Sequence, residues 1–155
     1  FATGWDDEAR ARSRHGRVVT LPGGTRIAGL GGVFRGAVWY PKDQQAPKFR
    51  NREAHARVTP RQDRWQGSVH LKHWSSIYPD EVEQLATQQA DILITHEAPG
   101  YHEHGFKELD SLARRMGVHM TVHGHQHDNI DSSAHWEAQG FQSFGVGLRG
   151  VMVVD

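Results

Sequence analysis

The sequence contains no cysteine, which removes disulfides, thiolate metal sites and Cys nucleophiles together and fits a reducing, cytoplasmic compartment. Any metal would rest on nitrogen and oxygen ligands. No apolar run approaches the ~18 residues that a membrane span needs, and the first residues have neither the charged start nor the apolar core of a signal peptide. No membrane partner is expected. Two catalytic signatures are missing as well: no Gly-X-Ser-X-Gly elbow occurs, since Gly67-Ser68 runs on into Val69-His70, and no Walker-type phosphate loop is present. Nor is there an aromatic-interleaved basic repeat or a nucleic-acid motif, so no nucleic acid is inferred. With 155 residues, one domain with a real core is affordable and two are not.

A formal net charge of zero conceals a division along the chain. Residues 1–75 carry 14 Lys/Arg against 6 Asp/Glu, whereas residues 76–155 carry 4 against 12. Either the basic half surrounds anionic substrates, or the halves attract one another or face different solvent.

Residues 1–17 read as a polar segment anchored by Trp5, and the chain, which begins with Phe, is expected to start inside a longer protein. Apolar or alternating stretches at 17–20 and 25–30 flank Pro22-Gly23-Gly24 and predict a hairpin. The glycines of Gly29-Leu30-Gly31-Gly32 either let backbone approach a phosphate or relieve a crowded strand end. From Pro41 to Arg64 no period persists, which predicts a long surface excursion with at most one helical turn and the charge of a substrate-side lid. Tyr78-Pro79-Asp80-Glu81-Val82-Glu83 predicts a helix start, with Asp80 as cap and Glu83 completing a capping box. Residues 91–95 and 118–122 predict strands. Between them Phe106, Leu109, Leu112, Ala113 and Met116 recur at helical spacing, and Gly117 stands where the helix should stop. Residues 140–147 and 151–154 predict two closing strands. This alternation is that of an α/β fold with a mostly parallel sheet, which places ligands at the carboxyl ends of its strands.

Histidines gather at two such ends. Thr121-Val-His-Gly-His-Gln-His-Asp128 puts three imidazoles within five residues, and Asp91-Ile-Leu-Ile-Thr-His96 ends a second apolar run in another. A lone His-X-His is more often surface or packing; two clusters at two strand ends point to a metal site. A metallo-β-lactamase order fails, because position 127 is His and position 128 is Asp. His123 reads as a structural residue or one behind the ligands, and His102 and His104 as either substrate contacts or solvent-exposed side chains.

Thr95-His96-Glu97-Ala98-Pro99 followed by Val122-His123-Gly124-His125-Gln126-His127 resembles the last two sequence blocks of the calcineurin-like metallophosphoesterases. The resemblance extends over most of the chain, through Gly29-Leu30-Gly31-Gly32 and Gly145 to Gly150. It implies a β-sandwich flanked by helices that holds two divalent metal ions (Mn, Fe, Zn, Co or Ni), which activate a bridging water against a phosphate-ester substrate. By motif position, His96 and His125 would ligate the second metal and His127 the first. Arg149, flanked by glycines, could fork onto the substrate phosphate or pair with a carboxylate. The family's earlier blocks, Asp-X-His, Gly-Asp-X-X-Asp and Gly-Asn-His-Asp/Glu, do not occur in this chain. Residues 1–155 therefore resemble one phosphoesterase domain, incomplete at its N-terminus, without the bridging Asp or the general-acid His.

Three imidazoles can hold a divalent ion but cannot bridge two as a carboxylate does. The complete protein thus reads as a hydrolase and this segment alone as inactive, expected to aggregate, to recruit a second copy as a homo-oligomer or to require the missing piece in trans, because strand edges and apolar faces of its sandwich would be bare. The other reading is a non-catalytic metal-binding or protein-interaction module on the same fold.

Overall fold

The computed structural model describes residues 16–125, 130–147 and 153. Their strands form a single five-stranded mixed sheet in the order β1-β2-β3-β4-β5: Arg17–Thr20, Arg26–Leu30, Ile92–Thr95, Met120–His123 and Gln142–Gly145. The first two are antiparallel and make the predicted hairpin; β2 to β5 run parallel. The strand order follows the chain order. Right-handed crossovers that step the same way between parallel neighbours place their connections on one face of a sheet.

Burial follows that rule. Ala28, Leu30, Leu93, Thr95, Thr121, His123 and Ser143 are buried on one face, whereas Ile27, Ile92, Met120, Val122 and Phe144 on the other are only half-buried and Ile94 is 43% exposed. Among the described residues nothing forms a second sheet, so the architecture is α/β with one covered sheet face.

The described residues form four helices, α1 (Arg52–Val58), α2 (Pro79–Leu85), α3 (Lys107–Arg115) and α4 (Trp136–Gln139), and α2 and α3 supply the core that covers this face. Leu109, Leu112, Ala113 and Met116 deliver the predicted apolar stripe into a core shared with Leu30, Leu93, Val82, Leu85 and Phe34. Gly117, at φ +70, ends α3 as expected, with the Gly117 and Val118 amides donating to the carbonyls of Arg114 and Ala113.

Two local expectations are corrected. Helix α2 is capped not at Asp80 but at Tyr78, whose N–H donates to the Glu81 carboxylate at 3.2 Å. Pro79 presets the helical φ of the first position, which moves the start upstream. The stretch 41–64 is also more ordered than its lack of period suggests. Asn51 caps α1 by accepting from the Ala54 N–H (2.8 Å), and Arg52 donates to the His73 carbonyl (2.8 Å) and to Glu81 (3.0 Å). A buried-side guanidinium, invisible to a hydrophobic period, does the ordering. In the glycine cluster, a Cβ on Gly32 would stand 2.6 Å from the Ser75 carbonyl oxygen, so that glycine answers to a crowded strand end.

Some of the charge division is taken up in ion pairs between the halves. Arg26–Asp91 (3.0 Å), Arg50–Asp80 (3.3 Å) and Arg52–Glu81 (3.0 Å) each join the basic half to the acidic one.

Candidate functional site

The parallel register sets Leu30, Thr95, His123 and Gly145 side by side at the carboxyl ends of four adjacent strands. The chain therefore leaves the sheet at Gly31, His96, Gly124 and Val146 along one edge, the position where α/β sheets bind ligands. His96 and His125 meet there. Their Nε2 and Nδ1 atoms are 2.6 Å apart, with ring centroids 4.5 Å apart, and both side chains are exposed. His125 has φ +63 without being glycine, a sparsely populated conformation that concentrates at functional sites. The strained backbone turns its imidazole back toward β3.

The loop from His96 to Phe106 is held tightly against the strand ends. The Thr95 hydroxyl donates to the Glu97 carbonyl at 2.7 Å, and the Phe106 N–H donates to the Ala98 carbonyl at 2.9 Å. At Gly105 a Cβ would lie 1.7 Å from the Pro99 carbonyl oxygen, so only glycine closes the loop. Within it the His102 Nδ1 accepts from the His104 N–H at 3.0 Å, which makes the buried His102 a structural part of the turn. Tyr101 reaches back so that its hydroxyl stands 2.7 Å from the His123 Nε2. His123 is 2% exposed and faces this phenol, in keeping with a structural role rather than a ligand's.

Beside His125 opens a cavity of about 480 Å³ whose walls include Arg35, Glu97 and His104, with Phe34, Tyr40 and Phe106. Glu97 is 6% exposed. Burial pushes its carboxyl above the usual range, while His125, Lys42 and Arg35 draw it back. Sequence reasoning passed over Glu97, Tyr101 and Arg35. Glu97 had a signal, being adjacent to His96 in the motif; the other two are placed only by the folding of distant loops.

Of the residues singled out from the sequence, His127 and Arg149 lie outside the described residues, as does most of the strand expected at 151–154. Among the described residues no group of three His, Asp or Glu side chains could hold one metal ion. The described portion is a two-imidazole pair. Nitrogen ligands ~2.1 Å from a tetrahedral ion stand roughly 3.4 Å from one another, so the pair would have to spread by less than an ångström to share one. Convergent ring nitrogens and a nearby buried carboxylate suit a divalent cation in chemistry.

The fold and site define an α/β protein with an imidazole pair at the carboxyl edge of a parallel sheet, and no described helix is long and apolar enough to cross a membrane. A Haemophilus influenzae protein described only as uncharacterized is 46% identical over 130 residues, covering 84% of this chain. The chain spans 56% of that protein's length. No family model matches the chain, and no solved structure does.

Proposed function

We propose that the complete protein is a metal-dependent phosphoesterase that hydrolyses a phosphate ester with a water activated by two divalent ions, and that this chain carries the histidine-rich part of the metal site. The observation that carries the reading is the approach of His96 to His125 at the ends of adjacent parallel strands. His96 and His125 would hold one ion, and His127 would be a ligand of the other. When bound, the ions supply Lewis acidity, a water of lowered pKa and neutralisation of the attacking and leaving oxygens. The chain's own work is to fix the two imidazoles at strand ends and to offer Arg149 to the phosphate. On this reading the half-bare sheet face of Ile27, Ile92, Ile94 and Val122 is where the second sheet of a β-sandwich packs.

That same apolar face favours a second reading, a non-catalytic interaction module that uses the sheet as its contact surface. The two separate by assay of the complete protein. With Mn²⁺ it should hydrolyse p-nitrophenyl phosphate or its bis-ester, and His125→Ala should reduce turnover at least about 100-fold. Turnover untouched by His125→Ala, or none with any divalent ion, would leave the interaction module.

A further inference from the structure

The cavity beside His125 contains a polar side chain that the fold does not explain. Glu97 is 6% exposed and lines the cavity, yet among the described residues its carboxylate has no hydrogen-bond or ion-pair partner, Lys42 being turned to the Glu103 carbonyl instead. Burying an unpartnered carboxylate is costly, and nothing in the core requires it there. An ionised carboxylate has two acceptor oxygens side by side and no donor. The group it fits is a pair of adjacent hydroxyls, each giving one O–H to one oxygen, as acidic residues receive ribose hydroxyls elsewhere.

Two other walls narrow the ligand. Arg35 is held in place by its Nη1, which donates to the Ser75 and Ser76 hydroxyls at 3.0 and 3.1 Å; its remaining donors suit an anion. Phe34, Tyr40 and Phe106 line it as well, with ring centroids 4.4 Å (Phe34–Phe106) and 5.6 Å (Tyr40–Phe106) apart; Phe34 and Phe106 belong to the core, and the half-buried Tyr40 is the ring that a flat apolar group can reach. The volume of about 480 Å³ is that of a small-molecule pocket.

We infer that this cavity is the recognition site for the alcohol part of the substrate, and that the substrate is a phosphate ester of a ribonucleoside, whose vicinal diol donates to Glu97, whose base lies along the aromatic wall and whose phosphate is steered by Arg35 toward His125. The inference deepens the phosphoesterase reading and rests on it for the position of the phosphate.

The test uses the complete protein, treated with a chelator so that nothing is hydrolysed, titrated calorimetrically with adenosine 5′-monophosphate and with its 2′-deoxy analogue. A site built around a diol rejects the analogue that lacks one hydroxyl, so the ribonucleotide should bind about tenfold more tightly. Glu97→Gln, which replaces one acceptor by a donor, should erase the preference. Arg35→Ala should weaken both ligands by about tenfold and keep the preference; it also guards against a Glu97 variant that fails to fold. Equal affinity for the two nucleotides in the wild type, no measurable binding, or a preference that survives Glu97→Gln overturns the inference. Mn²⁺ is then restored: Glu97-dependent binding without phosphate release supports the site and sinks the phosphoesterase reading, whereas release without Glu97-dependent selectivity does the reverse.

Discussion

Two pairs of imidazoles in one small fold are put to opposite uses. His55, in α1, and His73 lie with ring centroids 4.7 Å apart, and protein groups engage them on several sides. The His55 Nδ1 stands 2.8 Å from the Tyr78 hydroxyl, the His73 Nδ1 stands 3.0 Å from the Ser76 hydroxyl, and Phe49 stacks on His55 at 4.1 Å. His96 and His125 are as close to each other, but they stand exposed on a rim and turn their nitrogens toward one point. The ring is the same in both places. What differs is the setting: the first pair is packed among phenol, hydroxyl and aromatic groups, which makes a structural pair, whereas the second stands on an exposed rim with two ring nitrogens 2.6 Å apart, which makes a candidate ligand pair.

Mutation should separate the two pairs most clearly in stability. His73→Ala removes a buried ring and leaves the Ser76 hydroxyl with the Arg35 guanidinium alone, at an expected cost of about 3 kcal/mol, read from the denaturant midpoint. His96→Ala, on the rim, should stay within about 0.5 kcal/mol. If the rim variant were the more damaging, the contrast between the pairs would fail.

Acid should act on the packed pair, buried His73 and half-buried His55, with a smaller effect. Burial, then the positive neighbours His55, Lys72, Arg35 and His70, lower His73 from 6.5 to about 4; burial and the charges of Arg52 and Lys72 lower His55 as well. The Tyr78 phenol and the Glu81 and Arg52 side chains close the other sides. Because the folded pKa is depressed, the unfolded chain binds the proton first. The contribution is fully present above about pH 6.5 and is lost as the pH falls toward 4, by about 2 kcal/mol at pH 5. His73→Gln should flatten that part of the stability profile, and an unchanged slope would remove His73 as its source.

Much of the sheet was legible because short apolar runs bounded by Gly, Pro or charge can be read directly: the hairpin at 17–30, the strands before His96 and before Gly124, and the helix ended by Gly117. The meeting of His96 with His125 was legible for the same reason, since strand ends in a parallel sheet share an edge. Hidden from the sequence were α1, which Arg52 orders through carbonyl and carboxylate contacts across more than twenty residues, and the burial of Glu97, which depends on a loop that only Gly105 lets close. Apolar periodicity reports faces buried in the core. It is silent on polar side chains that organise loops and on carboxylates enclosed by them.

The claim at the centre of this account is that His96 and His125 are paired to hold a metal ion. Its most direct measurement is calorimetric titration of the chelator-treated complete protein with Mn²⁺ or Zn²⁺, alongside His96→Ala, His125→Ala and, as the counterpart from the packed pair, His55→Gln. The account predicts that each rim variant weakens binding by about 100-fold or more while His55→Gln binds as the wild type does. Wild-type affinity in both rim variants would contradict it.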